Sequence, residues 1–156
     1  MKTFVIVSDS HGRCAKKLDR LAPIFAENDY IVHLGDGSTD MRSVLSLYPE
    51  KTYICKGNCD FSFGGEEYVI EAEGVRMLCC HGHRYGVKWG LGKLAARAKE
   101  LDCGIALYGH THAAGITEID GVMCINPGAL SSYTEPSYCY LVLHKGKPTA
   151  TIVSIE

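Results

Sequence analysis

Short apolar runs, each ending in a polar, glycine-containing segment, recur through the first two-thirds of this chain. Phe4-Val5-Ile6-Val7 is followed by Asp9-Ser10-His11-Gly12, and Tyr30-Ile31-Val32 by Gly35-Asp36. Tyr53-Ile54-Cys55 leads to Gly57-Asn58, and Met77-Leu78-Cys79-Cys80 to His81-Gly82-His83. Ile105-Ala106-Leu107-Tyr108 leads to Gly109-His110-Thr111-His112. Apolar runs this short, bounded by turn residues, read as strands. Between them the period becomes helical. Cys14, Leu18, Leu21, Ala22 and Phe25 predict a first helix, with Pro23 expected to kink or split it. Met41, Val44, Leu45 and Tyr48 predict a second, capped by the Ser38/Thr39/Asp40 cluster. Leu91, Leu94, Ala95, Ala98 and Leu101 share one face of a third, near residues 89–101.

The rest of the chain reads as β. Segments 68–72 and 75–80 flank Glu73-Gly74, and segments 116–119 and 122–125 flank Asp120-Gly121, a pair that favours a type I′ turn. Segments 138–143 and 149–155 flank Lys145-Gly146-Lys147-Pro148. Strand-helix alternation followed by hairpins predicts an α/β fold of two packed sheets with helices outside. In sheets fed by β-α units, ligands collect beyond the carboxyl ends of the strands, which is where the five polar segments fall.

Those segments carry metal-capable side chains. Asp9 and His11 are two apart, as are His110 and His112, so on an extended segment each pair points one way. Asp36 offers a carboxylate that can bridge two cations, Asn58 a carbonyl oxygen and His81 an imidazole. Seven such donors exceed what one tetrahedral ion takes and suit a pair of ions. The mixed nitrogen and oxygen set fits Mn²⁺, Fe, Ni²⁺, Co²⁺ or Zn²⁺. Two ions held about 3.5–4 Å apart would clamp phosphate oxygens and make hydroxide available near neutral pH. Each short motif alone is weak, since a lone histidine or a Gly-Asp turn is ordinary. Their joint occurrence at successive strand ends carries the reading.

Size and composition narrow the rest. A chain of 156 residues and 17.0 kDa fits one domain, taken as residues 1–156. Net charge is −2 with no basic stripe, so no clear nucleic-acid surface is expected. No apolar run reaches the roughly 18 residues of a membrane span, and Met1-Lys2-Thr3 opens directly into a strand, which predicts a cytoplasmic protein. Of eight cysteines, Cys55, Cys79, Cys80, Cys124 and Cys139 lie in apolar runs and read as reduced, buried thiols. Base rates favour a homodimer.

Asp9-Ser10-His11-Gly12, Gly35-Asp36, Gly57-Asn58, His81-Gly82-His83 and Gly109-His110-Thr111-His112, in this order, resemble the calcineurin-like metallophosphoesterase superfamily. Chain length and Asn126-Pro127-Gly128 make it similar to the small YfcE-type phosphodiesterase branch. The resemblance covers essentially the whole chain and implies a four-layer α-β-β-α sandwich, two mixed β-sheets flanked by helices. It implies one metal held by Asp9, His11 and His112, a second by Asn58, His81 and His110, and Asp36 bridging them. It further implies a metal-dependent phosphodiesterase acting on a small phosphodiester through a metal-activated hydroxide, with Mn²⁺ preferred. Asp36, Asn58 and His83 are the residues expected to take part in catalysis. Two alternatives stand beside this: a non-catalytic metal-binding interaction scaffold of the same fold, and a phosphomonoesterase or nucleotidase. Where many superfamily members have a histidine after Gly-Asn, this chain has Cys59, expected to fill space. His83 is expected either to contact the phosphate or relay a proton, or to orient a metal ligand. Arg13 and Arg84 read as surface residues, His33 as a buried or supporting histidine, and His144 as solvated.

Overall fold

In this computed structural model the structure describes residues 1–155; residue 156, part of the expected domain span, lies outside the described residues. Strand β1 (Lys2–Val7) runs into helix α1 (Ala15–Glu27), then β2 (Tyr30–His33). A 3-10 turn (Ser38–Met41) precedes α2 (Arg42–Leu47) and β3 (Thr52–Ile54). Strands β4 (Glu67–Ala72) and β5 (Val75–Cys80) form a hairpin, followed by a 3-10 turn (His83–Tyr85), α3 (Gly92–Glu100) and β6 (Ile105–Leu107). Two further hairpins, β7 (Gly115–Ile119) with β8 (Val122–Asn126) and β9 (Ser137–His144) with β10 (Lys147–Ser154), complete the chain.

Two five-stranded sheets result, ordered β10-β9-β1-β2-β3 and β4-β5-β6-β8-β7. Each has three parallel strands: β1-β2-β3, with antiparallel β9 and β10 added on the β1 side, and β5-β6-β8, flanked by antiparallel β4 and β7. The two-residue alternation of a strand assigns each side chain to a layer. Phe4 and Ile6 of β1 meet Met77, Cys79 and Leu107 between the sheets. Val5 and Val7 face the other way, onto Leu21 and Phe25 of α1 and Met41 ahead of α2. In the second sheet Leu78, Cys80 and Ala106 turn outward onto Leu94, Ala95 and Ala98 of α3. This is the expected α-β-β-α order of layers. Burying both faces explains why the central strands read as unbroken apolar runs.

Local differences from the sequence reading have physical causes. Helix α1 is continuous through Pro23. The third helix starts at Gly92 rather than near 89, and Trp89 is exposed. The Ser38/Thr39/Asp40 cluster makes no side-chain cap. Asp40 turns instead to Ser10 Oγ (2.6 Å) and the Gly12 N–H (2.9 Å). The hairpin turns Glu73-Gly74, Asp120-Gly121 and Lys145-Gly146 each place both residues at positive φ, the type I′ signature. Pro148, expected in the last turn, sits in β10, an edge strand where a missing N–H is tolerated. All eight cysteines are free thiols, and seven are buried.

Candidate metal centre

The parallel strands of both sheets end at one rim, and their following loops interlock there. Asp9 N–H donates to the Gly35 carbonyl (3.0 Å) and His11 N–H to that of Asp36 (2.9 Å). In the second sheet Gly109 N–H donates to the His81 carbonyl (3.0 Å). Among the bonds that join the sheets here are His110 N–H to Asp9 Oδ2 (3.1 Å) and His81 Nδ1–H to the Leu34 carbonyl (2.8 Å). Among the described residues, five of the nine non-glycine residues at positive φ are Asp9, His11, Asp36, His110 and His112. Left-handed backbone costs such residues roughly 1–2 kcal/mol each, and strain of this kind concentrates where side-chain placement matters.

Two donor clusters form. Ligand atoms of Asp9, His11 and His112 lie within 4.8 Å of one another, and so do those of Asp36, His81 and His110. Asp36 stands between them, with Oδ2 at 3.2 Å from His81 Nε2 and 3.8 Å from His11 Nε2. Asn58 is exposed on the neighbouring loop, where its amide nitrogen meets Cys59 Sγ at 3.6 Å and the Cys59 N–H donates to Asp36 Oδ1 (2.8 Å). Six of the seven residues expected to ligate are thus drawn into two groups, and Asn58 sits one residue from the Asp36 contact. His83 lies beside them, its ring 5.4 Å from that of His81 and 6.1 Å from that of His110. Its Nδ1 is buried without a partner.

The electrostatics call for a cation. Asp9 Oδ2 accepts from Ser8 Oγ (2.5 Å) and His110 N–H, whereas Oδ1 is buried with no donor and faces the Nε2 atoms of His112 (3.2 Å) and His11 (3.6 Å). The Leu34 carbonyl can only accept, so His81 Nδ1 carries a proton and neutral His81 aims the lone pair of Nε2 at Asp36 and at His110 Nδ1 (3.1 Å). A lone pair facing a carboxylate is repulsive until a proton or a metal ion sits between them. Without metal, a proton takes that place. Burial would push the His81 pKa down, but the hydrogen bond to Asp36 and the Asp9 and Asp36 charges outweigh it and raise it. Burial would raise the Asp36 carboxyl, yet His81 and the Cys59 N–H hold it well below the usual carboxylate range. Burial, then His81 and Lys88, lowers His110; burial, then His81 and Arg84, lowers His83. These residues fit divalent metal, with a backbone carbonyl fixing the His81 tautomer as it does for metal-bound histidines.

Of the supporting residues, His33 was expected from the sequence as buried or supporting, whereas Asp60 and Asn126 were not. Asp60 accepts four backbone N–H groups: Asp36 and Gly57 on Oδ2 (both 2.8 Å), Gly37 (2.9 Å) and Ser38 (3.0 Å) on Oδ1. Burial raises its pKa, and these donors more than offset that, holding it low. Buried His33 accepts from the Gly35 N–H at Nδ1 (3.1 Å) and meets Ser10 Oγ at Nε2 (2.9 Å). Buried Asn126 holds the Gly109 carbonyl (3.3 Å) and Thr111 Oγ1 (2.9 Å). An acid three residues after Gly57 and an amide closing a buried strand were the available signals. Cys59, expected to fill space, is exposed at the rim. Arg13, Arg84 and His144 are exposed as expected.

Comparison with known proteins agrees with this geometry. The family model for the calcineurin-like phosphoesterase superfamily domain matches residues 1–147. The probable metallophosphoesterase YsnB of Bacillus subtilis strain 168 is 36% identical over 129 residues, 81% of this chain and 73% of its own. A probable metallophosphoesterase of Mycoplasma pneumoniae is 32% identical over 156 residues, 94% of this chain and 93% of its own. A Streptococcus pneumoniae TIGR4 protein described as a predicted phosphoesterase superposes with a TM-score of 0.82 at 26% identity, covering 98% of this chain and 89% of that one. Vps29 of Entamoeba histolytica, solved in complex with zinc, shares the fold at a TM-score of 0.75 and 21% identity, covering 97% of this chain and 98% of that one. By the matching domain and these relatives, and with the donor clusters it carries, this chain belongs to the calcineurin-like phosphoesterase superfamily and is a metal-dependent phosphoesterase.

Proposed function

We propose that the chain hydrolyses phosphodiesters at a dinuclear centre. Asp9, His11 and His112 would hold one divalent ion, Asn58, His81 and His110 the other, and Asp36 would bridge them. The observation that carries the reading is the position of Asp36 Oδ2, within 3.8 Å of an imidazole nitrogen from each donor cluster. When bound, the ions supply positive charge to phosphate oxygens and lower the pKa of water at the site. The protein's own contribution is placement. Asp9 is locked by Ser8 and the His110 N–H, His81 by the Leu34 carbonyl, and Asp36 by the Cys59 N–H. His83, kept neutral by burial and by His81, is suited to donate a hydrogen bond to a phosphate oxygen rather than to act as a strong acid.

Diesters are favoured over monoesters by charge. A monoester's second negative charge calls for extra cationic contacts, and both arginines flanking the motifs are engaged elsewhere. Arg84 pairs with Glu66, and the Arg13 guanidinium lies 5.4 Å from the Tyr133 ring centroid. The test is turnover of an aryl phosphodiester and the matching monoester with Mn²⁺, Co²⁺, Ni²⁺ or Zn²⁺. Turnover of the diester above the monoester is expected; inactivity with every ion, or a faster monoester, rejects the reading. Asp36→Ala removes the bridge and should reduce turnover to background, with the fold intact by circular dichroism.

A further inference from the structure

Seven of the eight thiols are buried, and the exposed one, Cys59, stands at the metal centre. Its backbone N–H is tied to Asp36 Oδ1 at 2.8 Å, which fixes the residue beside the proposed bridging carboxylate. The ligand atoms of His11, Asp36 and Cys59 gather within 4.8 Å of one another, a grouping distinct from the two already described. A second observation points to a cation on the same side. Asp9 Oδ1, buried and without any hydrogen-bond donor, lies 3.6 Å from His11 Nε2. His11 is common to this grouping and to the one that holds Asp9, so the ion on the His11 side is the one for which the Cys59 sulfur is a further candidate ligand.

We propose that the Cys59 sulfur is an additional ligand to the ion on the His11 side, and that it biases this centre toward soft divalent ions. The proposal rests on the metal-centre reading above. Two donors bonded to one ion at about 2.0–2.3 Å lie at most about 4.6 Å apart, so the His11, Asp36 and Cys59 atoms close on an ion with small shifts. Cys59 can make such a shift, since its side chain is exposed and is held only by the Asn58 amide at 3.6 Å and a hydrogen bond to the Asp36 carboxylate among the described residues. Carboxylate, amide and imidazole donors discriminate weakly among first-row ions, whereas a thiolate favours Zn²⁺ over the harder Mn²⁺. On binding, the sulfur loses its proton to solvent and coordinates as thiolate.

The experiment is cobalt spectroscopy on the full chain after chelator treatment. Co²⁺ added to the wild type should give visible d–d bands and, with them, a near-ultraviolet thiolate-to-cobalt charge-transfer band, which oxygen and imidazole donors do not produce. Cys59→Ser should keep the d–d bands and lose the charge-transfer band. In that variant Zn²⁺ affinity should fall about tenfold or more, with a smaller change for Mn²⁺. Bound cobalt with no charge-transfer band in the wild type, or a band that persists in Cys59→Ser, overturns the sulfur ligand and leaves the metal centre standing. A chain that binds no cobalt overturns both.

Discussion

Asp60 shows how much a single side chain outside the ligand set can carry. Its four backbone donors come from both the Gly35-Asp36 and Gly57-Asn58 loops, so one carboxylate sets their relative positions. Asp60→Asn keeps one accepting oxygen and turns an NH₂ group toward two N–H donors. Leaving them unpaired should cost about 2–4 kcal/mol in urea unfolding. Metal affinity should fall about 10–100-fold, as when a supporting partner of a ligand is lost. Titration calorimetry showing unchanged affinity would mean that the loops are set by other contacts. His33 makes a separate, pH-dependent claim. Burial lowers its pKa from 6.5 to about 4, against smaller opposing effects of Asp9, Asp60 and Asp40. The unfolded chain therefore binds a proton that the folded chain refuses between those values. The stability this contributes is complete above about pH 6.5, falls as pH drops toward 4, and is gone below that. The loss amounts to about 3 kcal/mol across the window. Gln at this position keeps a donor and an acceptor but does not titrate, so His33→Gln should flatten the stability profile between pH 6.5 and 4. Parallel profiles for the two proteins would show that His33 is not the titrating group.

At the scale of elements, the loops reach the rim only because certain glycines lack a Cβ. A Cβ on Gly57 would stand 2.2 Å from Asp36 Oδ1 and 2.4 Å from its nitrogen; one on Gly109 would stand 2.1 Å from Ser8 Oγ. Neither residue has positive φ, so close approach is the reason for glycine there. Gly121, at φ +83° in the β7–β8 turn, is the opposite case, with nothing within 4 Å. Gly57→Ala should therefore abolish metal binding by prying apart the loops after β2 and β3. Gly121→Ala should cost only about 1–2 kcal/mol of stability from backbone strain and leave metal binding unchanged. Equal effects on metal binding would remove the distinction. The same contrast shows what the sequence could tell. Strands, hairpin turns and the polar residues that gather at the rim were legible because each depends on neighbours in the chain: an apolar run, a two-residue turn, a polar residue directly after a strand. Apart from His33, the supports were not. Asp60 is 24 residues from the Asp36 N–H it accepts, and Asp40 is 30 from Ser10. The Ser38/Thr39/Asp40 cluster looked like a cap because local pattern cannot reveal that Asp60 supplies the acceptor for the Ser38 N–H. The insertion of β9 beside β1 was equally hidden, since it joins opposite ends of the chain.

For the whole molecule, the candidate centre is a seam between the two sheets. Asp9, His11, Asp36 and Asn58 follow strands of one sheet, and His81 and His110 follow strands of the other, with His112 on the same loop as His110. Below the rim the sheets are joined by apolar packing around Phe4, Met77 and Leu107; at the rim the cross-sheet bonds include His110 N–H to Asp9 and His81 to Leu34. An ion shared across this seam acts as a cross-link that exists only in the folded state. At a free concentration about 100 times its dissociation constant it should add about 2.7 kcal/mol. For a chain of this size that corresponds to a rise of roughly 5–10 °C in Tm. A chelator should reverse the rise, and acidification should weaken it, because the proton favoured on His81 competes with metal for Nε2. Amide exchange locates the effect: metal should protect residues 34–37 of one sheet and 108–112 of the other together. Protection confined to one of these loops would mean that the ion sits within one sheet, and the seam would then be held by packing and hydrogen bonds without it.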